Sequence, residues 1–151
     1  MNEQTLPMTG GCLCGSVRYE ATELPSNVNY CHCRMCQKWS GSAMVVAAKF
    51  PHEAVTFTGK QPKIYRSSEI GERGYCADCG SPLFFRYIEK ETIYMSVGTL
   101  DHPKNAPPKV HTCVDTQVPW LSIDDDLPRK SSEDDAGAKA IQAIAGNAVA
   151  D

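Results

Sequence analysis

The chain has 151 residues and a mass of 16.5 kDa, the length of a single domain. A formal charge of −3 and a pI near 5.8 argue against a general binder of nucleic-acid backbones. The longest apolar run, residues 43–48, falls far short of the roughly 20 residues of a membrane-spanning helix.

Residues 1–5 carry no basic region and no apolar stretch follows them, so no secretory signal is expected and the reducing cytoplasm is the expected compartment. Segments rich in β-formers then recur at 16–21, 28–31, 42–48, 54–58, 63–66, 83–87, 92–97 and 109–115. Turn signals separate them at Gly10-Gly11, Gly59, Gly71, Gly80-Ser81-Pro82 and 103–108, and 89–91 reads as a polar hairpin turn. One early helical turn is expected at 35–40. The pattern predicts a mostly-β domain of small sheets over 1–123. Beyond Ile123 the composition changes: residues 124–151 hold three basic and seven acidic residues, net −4, against twelve and eleven, net +1, in 1–123. The stretch 124–137 reads as a solvated linker. A weak helix is predicted over 138–150, with Ile141, Ile144 and Ala148 on one face; the tail as a whole is expected to be flexible or weakly helical.

Eight cysteines, with 42% apolar residues around them, need a chemical reason. Cys12 and Cys14 form CxC, Cys31, Cys33 and Cys36 form CxCxxC, Cys76 and Cys79 form CxxCG, and Cys113 stands apart. A disulfide framework, with about 105 possible connectivities, suits a reducing compartment badly. Near neighbours in sequence also make strained rings, whereas a metal wants thiolates converging on one point. Thiolate-only sites select zinc, copper(I) or iron–sulfur clusters. The familiar four-cysteine ferredoxin spacings are absent, and CxxCG has the form of a zinc knuckle, in which the glycine lets the backbone turn its amides towards the sulfurs.

A structural zinc is closed by four protein ligands, and a catalytic zinc keeps three and an open position. Seven clustered cysteines divide naturally as four plus three. Cys12, Cys14, Cys76 and Cys79 can make a closed site, and Cys31, Cys33 and Cys36 a second with a vacant position. Spacing does not decide this partition: Cys113, His32 or His111 can also close the second site. Three thiolates make zinc a weak Lewis acid but a good place for a soft ligand, so the open site points to sulfur chemistry.

The cysteine pattern in its surroundings resembles the glutathione-dependent formaldehyde-activating family, which also includes centromere protein V. The matching stretches are Gly10-Gly11-Cys12-Leu13-Cys14-Gly15-Ser16-Val17-Arg18-Tyr19, Cys31-His32-Cys33-Arg34-Met35-Cys36-Gln37-Lys38 with Gly41-Ser42, and Gly74-Tyr75-Cys76-Ala77-Asp78-Cys79-Gly80-Ser81-Pro82-Leu83. Phe57, Gly59, Tyr65, Gly98-Thr99-Leu100-Asp101, His111 and Pro119-Trp120 extend the match. The resemblance implies a zinc-stapled β fold of the Mss4-like type with two zinc sites. Cys12, Cys14, Cys76 and Cys79 would be structural, and Cys31, Cys33 and Cys36 catalytic. It also implies a carbon–sulfur lyase that joins glutathione, or another thiol, to formaldehyde or a small carbonyl compound. The partners expected are small molecules, with no nucleic acid and no membrane.

Arg34 and Lys38 flank the second cluster and can hold a glutathione carboxylate. His32 is expected to point away from the metal, and His111 is a candidate supporting or substrate group. Trp120 is expected to plug the core, Cys113 to fill apolar space, and Asp115 to accept a strand-end hydrogen bond. A Cys36–His111–Asp115 nucleophile set can be drawn, but metal ligation by the cluster argues against it. Two further readings compete: a non-catalytic zinc-stabilised binding module, with the second site closed, and a redox or metal-buffering protein.

Overall fold

The computed structural model describes residues 5–145, excepting the side chains of 142, 144 and 145. The chain is mostly β and forms two compact units, each discontinuous in sequence: one runs to Val28 and resumes over Ala47–Pro107, the other comprises Asn29–Val46 and the chain from Pro108.

In the first unit, β1 (Met8–Gly11), β2 (Arg18–Ala21) and β5 (Val55–Phe57) form an antiparallel sheet in the order β1-β2-β5. β4 (Val45–Pro51), β9 (Thr92–Ser96), β8 (Pro82–Tyr87), β7 (Gly71–Tyr75) and β6 (Lys63–Arg66) follow one another as antiparallel neighbours. The core between these strands holds Val17, Tyr19, Phe50, Leu83, Ile93 and Met95, all essentially without exposure. Phe57 links the sheets, its ring 6.1 Å from Tyr19 and 5.8 Å from Phe84. The expected turn at 89–91 joins β8 to β9, with the Lys90 N–H donating to the Tyr87 carbonyl at 3.1 Å.

β7 carries no strand signal because two of its five residues are glycine. Its neighbour supplies the missing bulk: a Cβ on Gly74 would stand 2.1 Å from the Phe84 ring, and one on Gly71 2.8 Å from Phe85. The aromatic faces of β8 therefore require bare backbone opposite them.

In the second unit β3 (Asn27–Cys31) leads into α1 (Arg34–Ser40), which ends at Gly41 in the left-handed conformation, φ 70°. β10 (Val110–Thr112) lies parallel to β3, and β11 (Arg129–Lys130) parallel to β10. The strand expected over 109–115 is cut short because Cys113 turns left-handed and a 3-10 turn, Val114–Thr116, follows.

Two expectations for the C-terminal part are corrected. The stretch 124–137 is not merely a solvated linker: it contributes β11 and a 3-10 turn, Ser132–Asp134. Asp115 accepts from the Ser132 N–H at 2.6 Å and from the Ser132 hydroxyl, and Ser132 is buried. These polar residues satisfy one another, so they need not face water. Trp120 does not plug the core; it is 76% exposed. The chain at 117–121 curls on itself instead, with the Gln117 amide donating to the Leu121 carbonyl at 2.9 Å. A helix, α2, spans Ala136–Ala145 with Ile141 buried; the rest of the face predicted through Ile144 and Ala148 lies outside what the structure describes.

Candidate metal centres

The first cluster sits at two turns of the first unit. Cys12 and Cys14 lie between β1 and β2, and Cys76 and Cys79 between β7 and β8. Their four sulfurs lie within 4.8 Å of one another. Cys12 and Cys14 are 3.5 Å apart, and Cys14 and Cys76 3.8 Å. A tetrahedral ion with metal–sulfur bonds of about 2.3 Å needs sulfur–sulfur edges of about 3.8 Å, so the donor set fits such an ion. Each turn closes tightly: Gly15 N–H donates to the Cys12 carbonyl at 3.1 Å, and Gly80 N–H to the Cys76 carbonyl at 2.8 Å. Gly80, φ 79°, occupies the left-handed region that the CxxCG pattern requires.

Local hydrogen-bond donors surround these sulfurs and favour negative charge at Cys12 and Cys79. The Val17 N–H donates to Cys12 Sγ at 3.3 Å, and the Ser16 hydroxyl lies 3.1 Å from Cys14 Sγ and 3.3 Å from Cys76 Sγ. Burial alone would raise the Cys12 thiol, but the Val17 N–H and the neighbouring thiols and hydroxyl bring it down to about 7. The Ser81 hydroxyl and backbone bring Cys79 down to about 6.

The second cluster lies wholly in the second unit, at the junction of β3 and α1. Cys31, Cys33 and Cys36 bring their sulfurs within 4.8 Å of one another. Cys33 caps α1, its sulfur accepting from the Cys36 N–H at 3.3 Å. Sulfur contacts with Cys113, Cys31 and Cys36, together with that N–H, hold the Cys33 thiol well below its ordinary value. The sulfurs of Cys113, Cys33 and Cys36, in that order, push Cys31 well up. Cys113 is more than the expected apolar filler: it is buried and its sulfur meets those of Cys31 and Cys33.

His32, between two cysteines of the cluster, points into a polar chain whose two histidines are fully buried. His32 Nε2 and His111 Nδ1 are 2.8 Å apart, and His111 Nε2 lies 3.0 and 3.2 Å from the two oxygens of Asp125. The His111 bond holds the Asp125 carboxyl below its usual range, so Asp125 is ionised and can only accept. With its imidazole neutral, His111 donates from Nε2 and accepts at Nδ1 from His32 Nε2–H. His32 Nδ1 is then a bare acceptor, and it has no hydrogen-bond partner among the described residues. Burial, with His111 and Arg129 next, lowers the His32 pKa to about 4. Tyr30 stacks on His111 with ring centroids 4.6 Å apart. Neither histidine belongs to the convergent sulfur group.

Gln37 ties the cluster loop to the turn after β10, its amide donating to the carbonyls of His32 at 2.8 Å and Thr116 at 3.1 Å. Arg34 Nη1 donates to Gln37 Oε1 at 2.5 Å, and Lys38 is exposed one residue beyond Gln37. Asp115, turned towards Ser132, is not directed at His111 as the drawn nucleophile set requires. Asp125, Ser16 and Thr116 escaped the sequence reading because each acts through a neighbour distant in the chain or through a hydroxyl with no motif of its own.

The sequence profile described as glutathione-dependent formaldehyde-activating enzyme matches residues 7–116, which span both cysteine clusters. The chain belongs to this family. A lyase of Schizosaccharomyces pombe, named as uncharacterised, is 29% identical over 85 residues, 56% of this chain and 61% of that protein. A protein of Phaeosphaeria nodorum with the provisional name glutathione-dependent formaldehyde-activating enzyme is 32% identical over 114 residues, 72% of this chain and 54% of that protein. A Podospora anserina protein of the same provisional name is 35% identical over 85 residues, 53% of this chain and 39% of its own. The chain thus spans between 39% and 61% of the length of these relatives. A Rhodobacter sphaeroides protein of known crystal structure is similar in fold, with a TM-score of 0.50 at 16% identity, covering 82% of this chain and 100% of that one. No helix among the described residues of this family member is long and apolar enough to cross a membrane.

Proposed function

We propose that this family member is a zinc-dependent carbon–sulfur lyase acting on adducts of glutathione, or another thiol, with formaldehyde or a small carbonyl compound. The observation that carries the reading is the convergence of Cys31, Cys33 and Cys36 on one point, within a chain of this family. In this reading Cys12, Cys14, Cys76 and Cys79 hold a structural zinc, and Cys31, Cys33 and Cys36 hold the catalytic one. The catalytic zinc, when bound, lowers the pKa of an entering thiol so that it is present as thiolate. In the forward direction the thiol sulfur bonds to the carbonyl carbon, the carbonyl π pair moves to oxygen, and oxygen takes a proton. The reverse reaction breaks that C–S bond.

The chain's own residues do the positioning. Lys38 and Arg34, at the outer side of α1, meet the carboxylates of glutathione. Gln37 holds the backbone of His32 and of the turn at Thr116, which keeps the cysteine loop in shape. The His32–His111–Asp125 chain anchors the loop residue that separates Cys31 from Cys33. The cysteines, Arg34, Gln37 and Lys38 all lie within residues 1–123, with Asp125 supporting them from just beyond, and the expected setting is the cytoplasm.

Zinc content per chain, with and without glutathione, is the first test, followed by formation of the hydroxymethyl thioether from formaldehyde and glutathione. Two zincs, one made exchangeable by glutathione, and loss of product in Cys33→Ser with the fold retained are the expected results. Unfolding of Cys33→Ser, or a second zinc indifferent to thiols, supports the other reading, a non-catalytic zinc-stabilised binding module. The contact of the Cys113 sulfur with the cluster favours that second reading.

A further inference from the structure

The parallel register of β3 and β10 sets Thr112 opposite Cys31, and the His32 N–H donates to the Thr112 carbonyl at 3.1 Å. The residue after Thr112 is thereby delivered to the loop of Cys31–Cys36. That residue is Cys113, and the chain does not continue through it as strand. Cys113 has φ 56° and ψ 43°, the sole positive φ of a non-glycine residue among the described residues. Such a conformation is strained in a residue with a Cβ and persists where the surroundings impose it.

The surroundings here are specific. The Thr116 N–H and hydroxyl both donate to the Cys113 carbonyl at 3.1 Å, and the same hydroxyl donates to the His32 carbonyl at 3.0 Å. Gln37 Nε2 bridges the His32 and Thr116 carbonyls. The turn at Cys113 and the loop of Cys31–Cys36 therefore share their hydrogen-bond donors and are held as one piece. Cys113 is 1% exposed, and its thiol interacts with those of Cys31 and Cys33.

We propose that Cys113 supplies the fourth sulfur ligand of the metal held by Cys31, Cys33 and Cys36. A tetrahedral ion on three thiolates needs a fourth donor, and a buried sulfur against two of them can provide it where water has little access. Cys113 stands outside the convergent trio, so ligation requires its sulfur to move towards the point on which the trio converges. On ligation its S–H proton leaves to solvent and the sulfur binds as thiolate. The proposal is tested apart from the lyase reading: a fourth cysteine ligand leans towards a structural site but also fits an active site at rest, where an entering thiol would displace it.

The test is X-ray absorption at the zinc edge of the full chain loaded with two zincs, repeated on Cys113→Ser, with no thiol or carbonyl compound present. The expected result is an all-sulfur shell in the unaltered chain and replacement of about one sulfur in eight by oxygen or nitrogen in Cys113→Ser. Cobalt substitution provides a second readout: the sulfur-to-cobalt charge-transfer absorption is expected to fall in the variant. An oxygen or nitrogen already present in the unaltered shell overturns the proposal, and so does a variant with unchanged shell and cobalt spectrum. Should Cys113→Ser fail to fold, the shell of the unaltered chain decides alone. Turnover does not enter the measurement, so an inactive chain with an all-sulfur shell upholds the ligand and sinks only the lyase reading.

Discussion

His32 Nε2 and His111 Nδ1 share a hydrogen bond at 2.8 Å, and both rings are completely buried. Asp125 fixes the direction of that bond by accepting from the far side of His111. Nitrogen-15 spectra of the imidazoles should therefore show Nδ1 of both histidines without a proton at neutral pH. Asp125→Ala removes the acceptor and leaves a buried N–H unpaired, which is expected to cost about 1–3 kcal/mol of stability and to mix the His111 tautomers. Unchanged spectra and unchanged unfolding in the variant would refute this proton inventory.

The first cysteine cluster joins two turns 62 positions apart, taken from Cys14 to Cys76. Metal bound there closes a long loop, and its binding free energy is folding free energy. Cys76→Ser is expected to release one metal and to abolish cooperative unfolding of the first unit, followed by circular dichroism with a chelator titration. A variant that retains its melting transition after complete metal loss would show that the sheets stand alone.

Asp101 accepts from Arg18 Nη1 at 3.0 Å and Nη2 at 2.5 Å, and from the Thr9 hydroxyl at 2.6 Å. Arg18 first, then Thr9, brings the Asp101 carboxyl down to about 2. A carboxyl with a depressed folded pKa stabilises the fold above its unfolded value, near 4, and the contribution is lost as pH falls towards 2. Both partners are about a third exposed, so screening limits the gain to roughly 1 kcal/mol. Asp101→Asn should be less stable than the unaltered chain by about that amount at pH 7, with the gap shrinking as the medium is acidified. A gap independent of pH would assign the loss to packing.

Gly74→Ala is expected to destabilise the first unit by about 1–3 kcal/mol, because the new methyl would stand 2.1 Å from the buried Phe84 ring, which must shift to admit it. Chemical denaturation measures this directly. The companion change Phe84→Leu in the same chain should recover part of the loss, and additivity of the two would argue against the contact.

If the proposed lyase reading holds, Lys38→Ala is expected to raise the KM for glutathione several-fold while leaving kcat and the metal content unaltered, since an exposed cation on α1 would act in binding and not in the sulfur chemistry. A fall in kcat with KM unchanged would remove Lys38 from the glutathione-binding role.

Short-range chemistry was readable without coordinates. Cysteines one or two residues apart are held near each other by covalent geometry, so CxC, CxxCG and CxCxxC announce converging thiolates wherever they fold. The hairpin at 89–91 and the positive φ of Gly80 are likewise local, set by two or three residues. β7 was invisible because its glycines answer rings on another strand. Trp120 was misjudged because hydrophobicity reports a preference for burial and not the path of the chain. The meeting of Cys14 with Cys76 was legible through the family resemblance, and spacing left it open. The meeting of Cys113 with Cys31 and Cys33 and the chain from His32 through His111 to Asp125 depend on the parallel pairing of β3 with β10. A register shifted by one residue would turn each of these side chains to the opposite face. Sequence determined which atoms could bind a metal; pairing between distant strands decided which of them stand together.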